Sequence, residues 1–175
     1  MMFGLMLHPM LEHFRGDIQD SQIAKYQYVL KAPYEVKYGG AEKYAYSTLQ
    51  NERDEEIGVY GITEDSEYFN GKLVKSSDEI DDNEIEVLAS SAYMEKYRLK
   101  DGANVMLHVK FGNKKYTFVL KRSCKYPAAL TVFMPLKTYN MVFDKPEDNY
   151  IGYFSDKKLT EIDKNLVATT ITKRD

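Results

Sequence analysis

The stretch ANVMLHVKFGNKKYTFVLKR, residues 103–122, decides how this chain is read. Apolar and polar residues alternate on both sides of Gly112-Asn113, and a period of two marks strands with one buried face. Gly-Asn is a hairpin-turn dipeptide. A two-residue turn there sets Val109 opposite Tyr116, Leu107 opposite Phe118 and Val105 opposite Leu120, six apolar or aromatic residues on one face. His108 opposite Thr117, Met106 opposite Val119 and Lys110 opposite Lys115 make the other face. A one-residue slip would exchange the faces, so an antiparallel hairpin in this register is expected.

Outward from the hairpin, strands and short helices alternate. Upstream, EIEVLAS predicts a strand, and SAYMEKYRLKDG a short helix capped by Ser90 or Ser91, with Gly102 just past its end. Downstream, ALTVFMP predicts a strand stopping at Pro135, LKTYNMVFD a short helix and NYIGYFSD a strand. SDKKLTEIDKN predicts another helix starting near Ser155 or Asp156, and LVATTIT a final β-branched strand. Toward the N-terminus, YQYVLKAPY reads as a strand ending at Pro33, and alternation at Tyr44, Tyr46 and Thr48 favours a strand. EIGVYGI reads as a buried strand, and the polar run from Thr63 as a loop with one helical turn at Ser66–Phe69. MLEHFRGDIQDSQIAKYQ carries a narrow apolar stripe through Met10, Phe14 and Ile18, which suits a partly exposed stalk helix. The expected class is α+β, a mixed or antiparallel sheet with short helices. Residues 1–24 form an N-terminal appendage and 25–175 the α+β domain.

Composition fits a folded domain: 43% of the 175 residues are hydrophobic and 29% charged. Net charge is −3 and the pI about 5.7, without the basic footprint of a nucleic-acid binder. Fifteen Tyr and eight Phe with no Trp supply strand surface and core. Cys124 is alone, which excludes an intramolecular disulfide and a multi-cysteine zinc site. The opening run MMFGLMLHPM is apolar but shorter than the roughly 20 residues of a membrane span. It has no basic leading segment, as a signal peptide would. A helix docked on the core and the outer end of a membrane helix both fit it.

Motifs of catalysis are missing: no nucleophile elbow, phosphate loop, zinc-protease pair or dinucleotide fingerprint is present. His8 and His13 lie five apart on the stalk and do not stack on one helix face; His108 sits on the hairpin's less apolar side. The acidic run SSDEIDDNEIE lacks the spacing and central glycine of a calcium loop and reads as solvated. No catalytic, cofactor-binding or metal-ligating residue is nominated, and ligand-binding residues stay unassigned. The alternative function is a secreted or surface-bound hydrolase with an unrecognised carboxylate pair.

The segment order carries a resemblance. The strand EIEVLAS, the Ser-capped helix SAYMEKYRLKDGANVML, a strand pair and TVFMPLKTYN resemble the extracellular domain of FtsX-like ABC-transporter permeases, which include the MacB-like periplasmic core domain. Leu99-Lys100-Asp101-Gly102-Ala103-Asn104-Val105 is similar to that group's Leu-Lys-x-Gly-Asp-x-Ile phrase and departs from it at Gly102-Ala103. The flanks FGLMLHPMLEHF and YIGYFSDKKLTEIDKNLVATTITKRD look like those of permeases from low-GC Gram-positive bacteria. The resemblance covers nearly the whole chain, and its motifs are structural. It implies a non-catalytic domain on the extracellular face of the cell membrane, between the first two membrane helices of a permease. Met1–Leu7 would then end the first of these. Its partners would be a cytoplasmic ATP-binding subunit, a second permease copy or partner permease, and the membrane, with no nucleic acid and no cofactor. The work would be export, extraction or sensing of a lipid, lipoprotein or antimicrobial peptide.

Overall fold

The computed structural model describes residues 23–69, 71–75 and 84–172. The expected stalk helix, His8, His13 and most of the acidic run lie outside the described residues. Nine strands follow in chain order: β1 (Tyr26–Leu30), β2 (Glu42–Gln50), β3 (Glu56–Ile62), β4 (Ile85–Ser90), β5 (Ala103–His108), β6 (Lys115–Cys124), β7 (Thr131–Pro135), β8 (Gly152–Ser155) and β9 (Val167–Thr172). Among the described residues two short helices, α1 (Ser91–Lys96) and α2 (Leu136–Val142), complete a mixed sheet of the expected α+β kind.

The sheet order is β3-β7-β4-β6-β5-β2-β8-β1-β9, and β3 also pairs with β2. Six strands therefore close into a ring, β2-β3-β7-β4-β6-β5, while β8, β1 and β9 extend it outward from β2. The pairs β3–β7 and β4–β6 are parallel and the rest antiparallel. Alternate residues fill the ring: Ile57 and Val59, Ile85 and Val87, Leu107, Phe118 and Leu120, and Val132 and Met134 are all at most 2% exposed. Tyr93 and Met94 of α1 and Tyr139 and Val142 of α2 join the same core. The opposite faces of β3, β4 and β7 are covered too, because Tyr60, Ile62, Leu88 and Phe133 pack beneath Tyr68, Phe69, Leu73 and Val74 of the β3–β4 loop. Burial on both faces is why EIGVYGI reads as an unbroken apolar run.

The hairpin forms with the expected faces but a different register. Val105 lies opposite Phe118, Leu107 opposite Tyr116 and His108 opposite Lys115, a shift of two residues from the predicted pairing. Val109 N–H donates to the Lys114 carbonyl at 3.1 Å, so the connection is the four-residue loop 110–113. Gly112, φ +127°, supplies the left-handed residue of this longer loop. Because side chains repeat every two residues, a two-residue shift leaves every residue on its predicted face.

Other expectations are met or corrected locally. Ser90 is the cap of α1: its Oγ accepts from Tyr93 N at 3.2 Å and also from Thr131 N at 3.0 Å, clasping helix and β7 together. The helix closes at Arg98, φ +52°, whereas Gly102, φ +88°, belongs to the turn into β5. Ser66–Phe69 is a bend, not a helical turn, with the Ser66 hydroxyl accepting from Tyr68 N and Phe69 N. The helix expected after Ser155 is absent. Ser155 ends β8 and its hydroxyl binds both the N–H and the carbonyl of Lys157, a local alternative to helix. Leu159 N then donates to the Tyr28 hydroxyl at 2.8 Å, and a single 3₁₀ turn, Lys164–Leu166, precedes β9.

Gly152 pins the extension to the ring, since it pairs with Val29 on one side and Tyr44 on the other. A Cβ there would sit 1.7 Å from the Tyr28 carbonyl oxygen, a backbone atom in the ladder. Gly152→Ala is expected to destabilise by about 3 kcal/mol or more, while Gly39→Ala, with nothing within 4 Å, should stay within about 0.5 kcal/mol of wild type. Urea unfolding of the two variants checks the contrast. Leu107→Ala and Phe118→Ala, both at fully buried positions, should each cost about 2–5 kcal/mol. A double-mutant cycle should couple Leu107 to its direct neighbour Tyr116 by at least about 0.5 kcal/mol.

Candidate functional site

The closed ring has a weak seam. β2 and β5 share a single rung, Gln50 opposite His108. Strand β2 pairs with β8 only through Glu42, Lys43 and Tyr44. Ile151 N–H donates to the Tyr44 carbonyl at 2.8 Å, so Tyr44 directs its backbone groups at that edge. Backbone groups alternate along a strand, hence Tyr46 and Thr48 direct theirs to the same edge, where among the described residues no strand pairs with them. Both side chains are also exposed.

A groove of about 450 Å³ opens along this bare edge, between the β5–β6 hairpin and the loop that follows α2. Tyr116, Tyr139 and Phe143 make its aromatic wall, with Tyr116 and Phe143 edge to face at 5.3 Å and Tyr139 and Phe143 at 4.7 Å. The loop from Phe143 to Ile151 is held by paired amides: Asn149 Nδ2 donates to Asn140 Oδ1 at 3.0 Å, and Asn140 Nδ2 to the carbonyls of Glu147 and Asn149. Burial pushes the Tyr139 phenol up, so it stays a neutral donor. The hydroxyls of Ser47 and Tyr150, both lining the groove, are buried without a partner in hydrogen-bond geometry. The Ser47 hydroxyl nevertheless lowers the Tyr139 phenol and the Tyr150 hydroxyl raises that of Tyr153, burial being the larger cause at both. An aromatic wall, unsatisfied hydroxyls and an unpaired strand edge are features of a binding surface.

Across the rung lies a second hollow of about 350 Å³, floored by Tyr93, Tyr97, Asn104 and Met106. Asn51 organises it. Its Oδ1 accepts from Arg53 N and Glu55 N, and its Nδ2 donates to the Tyr97 hydroxyl at 2.9 Å. Tyr97 in turn donates to Glu55, which also pairs with Lys96. His108 brackets the seam: Nε2 lies 3.1 Å from the Asn51 carbonyl and Nδ1 2.9 Å from that of Val109. The histidine that the sequence leaves on the hairpin's polar face is thus a half-buried brace.

The Lys96 ammonium, then the Tyr97 hydroxyl, hold the Glu55 carboxyl below its usual range, and Tyr38, then Tyr68, do the same for Asp156. Both are ionised acceptors, the reverse of a raised general acid. Burial pushes the Cys124 thiol up to about 11, which keeps it protonated and unreactive near neutral pH. Among the described residues no cluster of three or more His, Cys, Asp or Glu could hold a metal ion. Sequence reasoning nominated none of the groove residues. Their juxtaposition depends on where β8 and β5 leave β2, and no local pattern records that. No protein-family model and no curated protein sequence matches the chain.

Glu55 gives a pH test. Its folded pKa is depressed from an ordinary value of 4.5, so the stability it contributes is present above that value and is lost as pH falls through the folded pKa. Wild type should exceed Glu55→Gln in urea midpoint near neutral pH, and the gap should narrow as the pH is lowered below 4.5. Ser47→Ala should leave the midpoint unchanged or raise it slightly, since it removes a buried hydroxyl that makes no hydrogen bond.

Proposed function

We propose that this chain is the extracellular domain of an FtsX-like ABC-transporter permease, of MacB-like periplasmic core type. It serves as a non-catalytic module that couples ATP hydrolysis by a cytoplasmic subunit to work on a lipid, lipoprotein or peptide outside the membrane. The resemblance of the segments is the starting point. One observation of the fold carries it further: Tyr26 and Thr172 are partners in the last rung of the β1–β9 ladder. The chain therefore enters and leaves the domain at one end of the sheet, as a domain inserted between two membrane helices must. Among the described residues no helix is long and apolar enough to cross a membrane, so the spans would come from the flanks. The groove beside β2 is the natural place for the handled molecule.

Two measurements test this. The gene, tagged at its locus, should yield a membrane protein that co-purifies with an ATP-binding subunit. A cysteine introduced by Asp101→Cys, in a Cys124→Ser background, should react with a membrane-impermeant maleimide on intact cells. A chain secreted free of the membrane, with no ATPase attached, would favour the alternative, a secreted or surface-bound hydrolase.

A further inference from the structure

The tip of the β5–β6 hairpin is the most exposed apolar feature described. Phe111 is 87% exposed, against 49% for Met106 and 37% for Tyr46. It stands among Lys110, Lys114 and Lys115, all on the surface, with the Lys110 ammonium 5.6 Å from the Phe111 ring centre. The sequence around it is one-sided. From Gly102 to Phe143 there are seven Lys and Arg and no Asp or Glu, in a chain of net charge −3. An isolated exposed Phe needs no explanation. An exposed Phe at the apex of a tight loop, ringed by lysines whose stems are apolar and whose heads are cationic, matches the chemistry of an anionic lipid interface.

Strand directions say where the tip points. β1 and β2 are each antiparallel to β8, so they run the same way, and β5 is antiparallel to β2. β5 therefore runs toward the end of the sheet where Tyr26 and Thr172 meet, and the hairpin tip projects in that direction beyond His108, which sits opposite Gln50. The 22 residues preceding Ile23, with the apolar opening MMFGLML, join the domain at the same end.

We infer that the Lys110–Lys115 tip docks on an anionic phospholipid surface, with Phe111 entering the headgroup layer and the lysines facing lipid phosphates. The argument rests on the hairpin and the strand directions, and it holds for any membrane-attached chain, whether or not the transporter assignment is correct.

The chain contains no Trp, so Phe111→Trp places a single reporter at the apex. Vesicles of phosphatidylcholine alone and vesicles with about one third phosphatidylglycerol are the probes. The expected result is a blue shift of Trp emission with phosphatidylglycerol vesicles, quenching by brominated acyl chains, and reversal at high salt. Each of Lys110→Ala and Lys115→Ala should weaken the apparent affinity about fivefold. Phosphatidylcholine alone should give no shift. The reporter reads the tip itself, so binding through residues 1–22 would not mimic the result. No shift with anionic vesicles, an equal shift with neutral ones, or indifference to both lysine substitutions would overturn the proposal. A shift with a soluble polyanion such as heparin but not with vesicles would overturn it in favour of an acidic macromolecular partner. None of these failures bears on co-purification with an ATPase, which tests the transporter reading separately.

Discussion

Everything in this fold depends on how β2 divides its hydrogen bonds. One edge is committed to β3 from Tyr44 to Gln50. The other is shared: its start holds β8 and through it the outer strands, and its end holds β5 and closes the ring. The two claims leave a gap at Tyr46 and Thr48. The groove, the seam and the junction between ring and extension are thus three results of one strand serving two sheets.

The junction is sealed by aromatic rings and a buried amide. Tyr44 stacks on Phe154 at 4.2 Å and its hydroxyl donates to the Tyr28 carbonyl at 2.9 Å. Gln27, 5% exposed, donates to the Tyr60 hydroxyl at 2.9 Å. A buried amide is tolerable only when its polar groups are met, and here the partners are the Tyr60 and Tyr44 hydroxyls, on β3 and β2. The abundance of tyrosine follows from this geometry. The rings supply apolar area to a thin layer, and the hydroxyls of Tyr28, Tyr44, Tyr60 and Tyr153 reach backbone or amide groups that phenylalanine would leave bare. Desolvation raises the phenols of Tyr44, Tyr60 and Tyr93 further above their ordinary value, so they remain neutral donors.

Much of this architecture is legible in the sequence because strand signals are local. The alternation in β5 and β6, the unbroken apolar β3 and the Ser90 cap all appear where they are read. What fails has a physical reason in each case. Hydrophobic alternation has a period of two, so it cannot separate registers that differ by two, and nothing in it distinguishes a two-residue turn from the four-residue loop 110–113. Helix termination by Arg98 in place of Gly102 puts a side chain in the left-handed region, against the usual preference. Residues 156–163 have helical spacing but are captured by Ser155 and by the Tyr28 hydroxyl from a strand far away in sequence. The groove lies beyond any such reading, because an unpaired edge is a property of pairing and no single segment encodes it.

The terminal rung has a mechanical meaning. If the two chain ends are pulled apart in the plane of the sheet, force falls first on Tyr26 and Thr172. The β1–β9 ladder then opens like a zipper, one rung at a time, and the load is not spread across all its hydrogen bonds at once. Past Leu30 the tension meets β1–β8 and the Gly152 pinch, where rings and backbone interlock. The outer strands thus form a compliant element in series with a stiff, closed ring. A small separation of the ends is absorbed by β9, while the six-stranded core and its groove keep their shape.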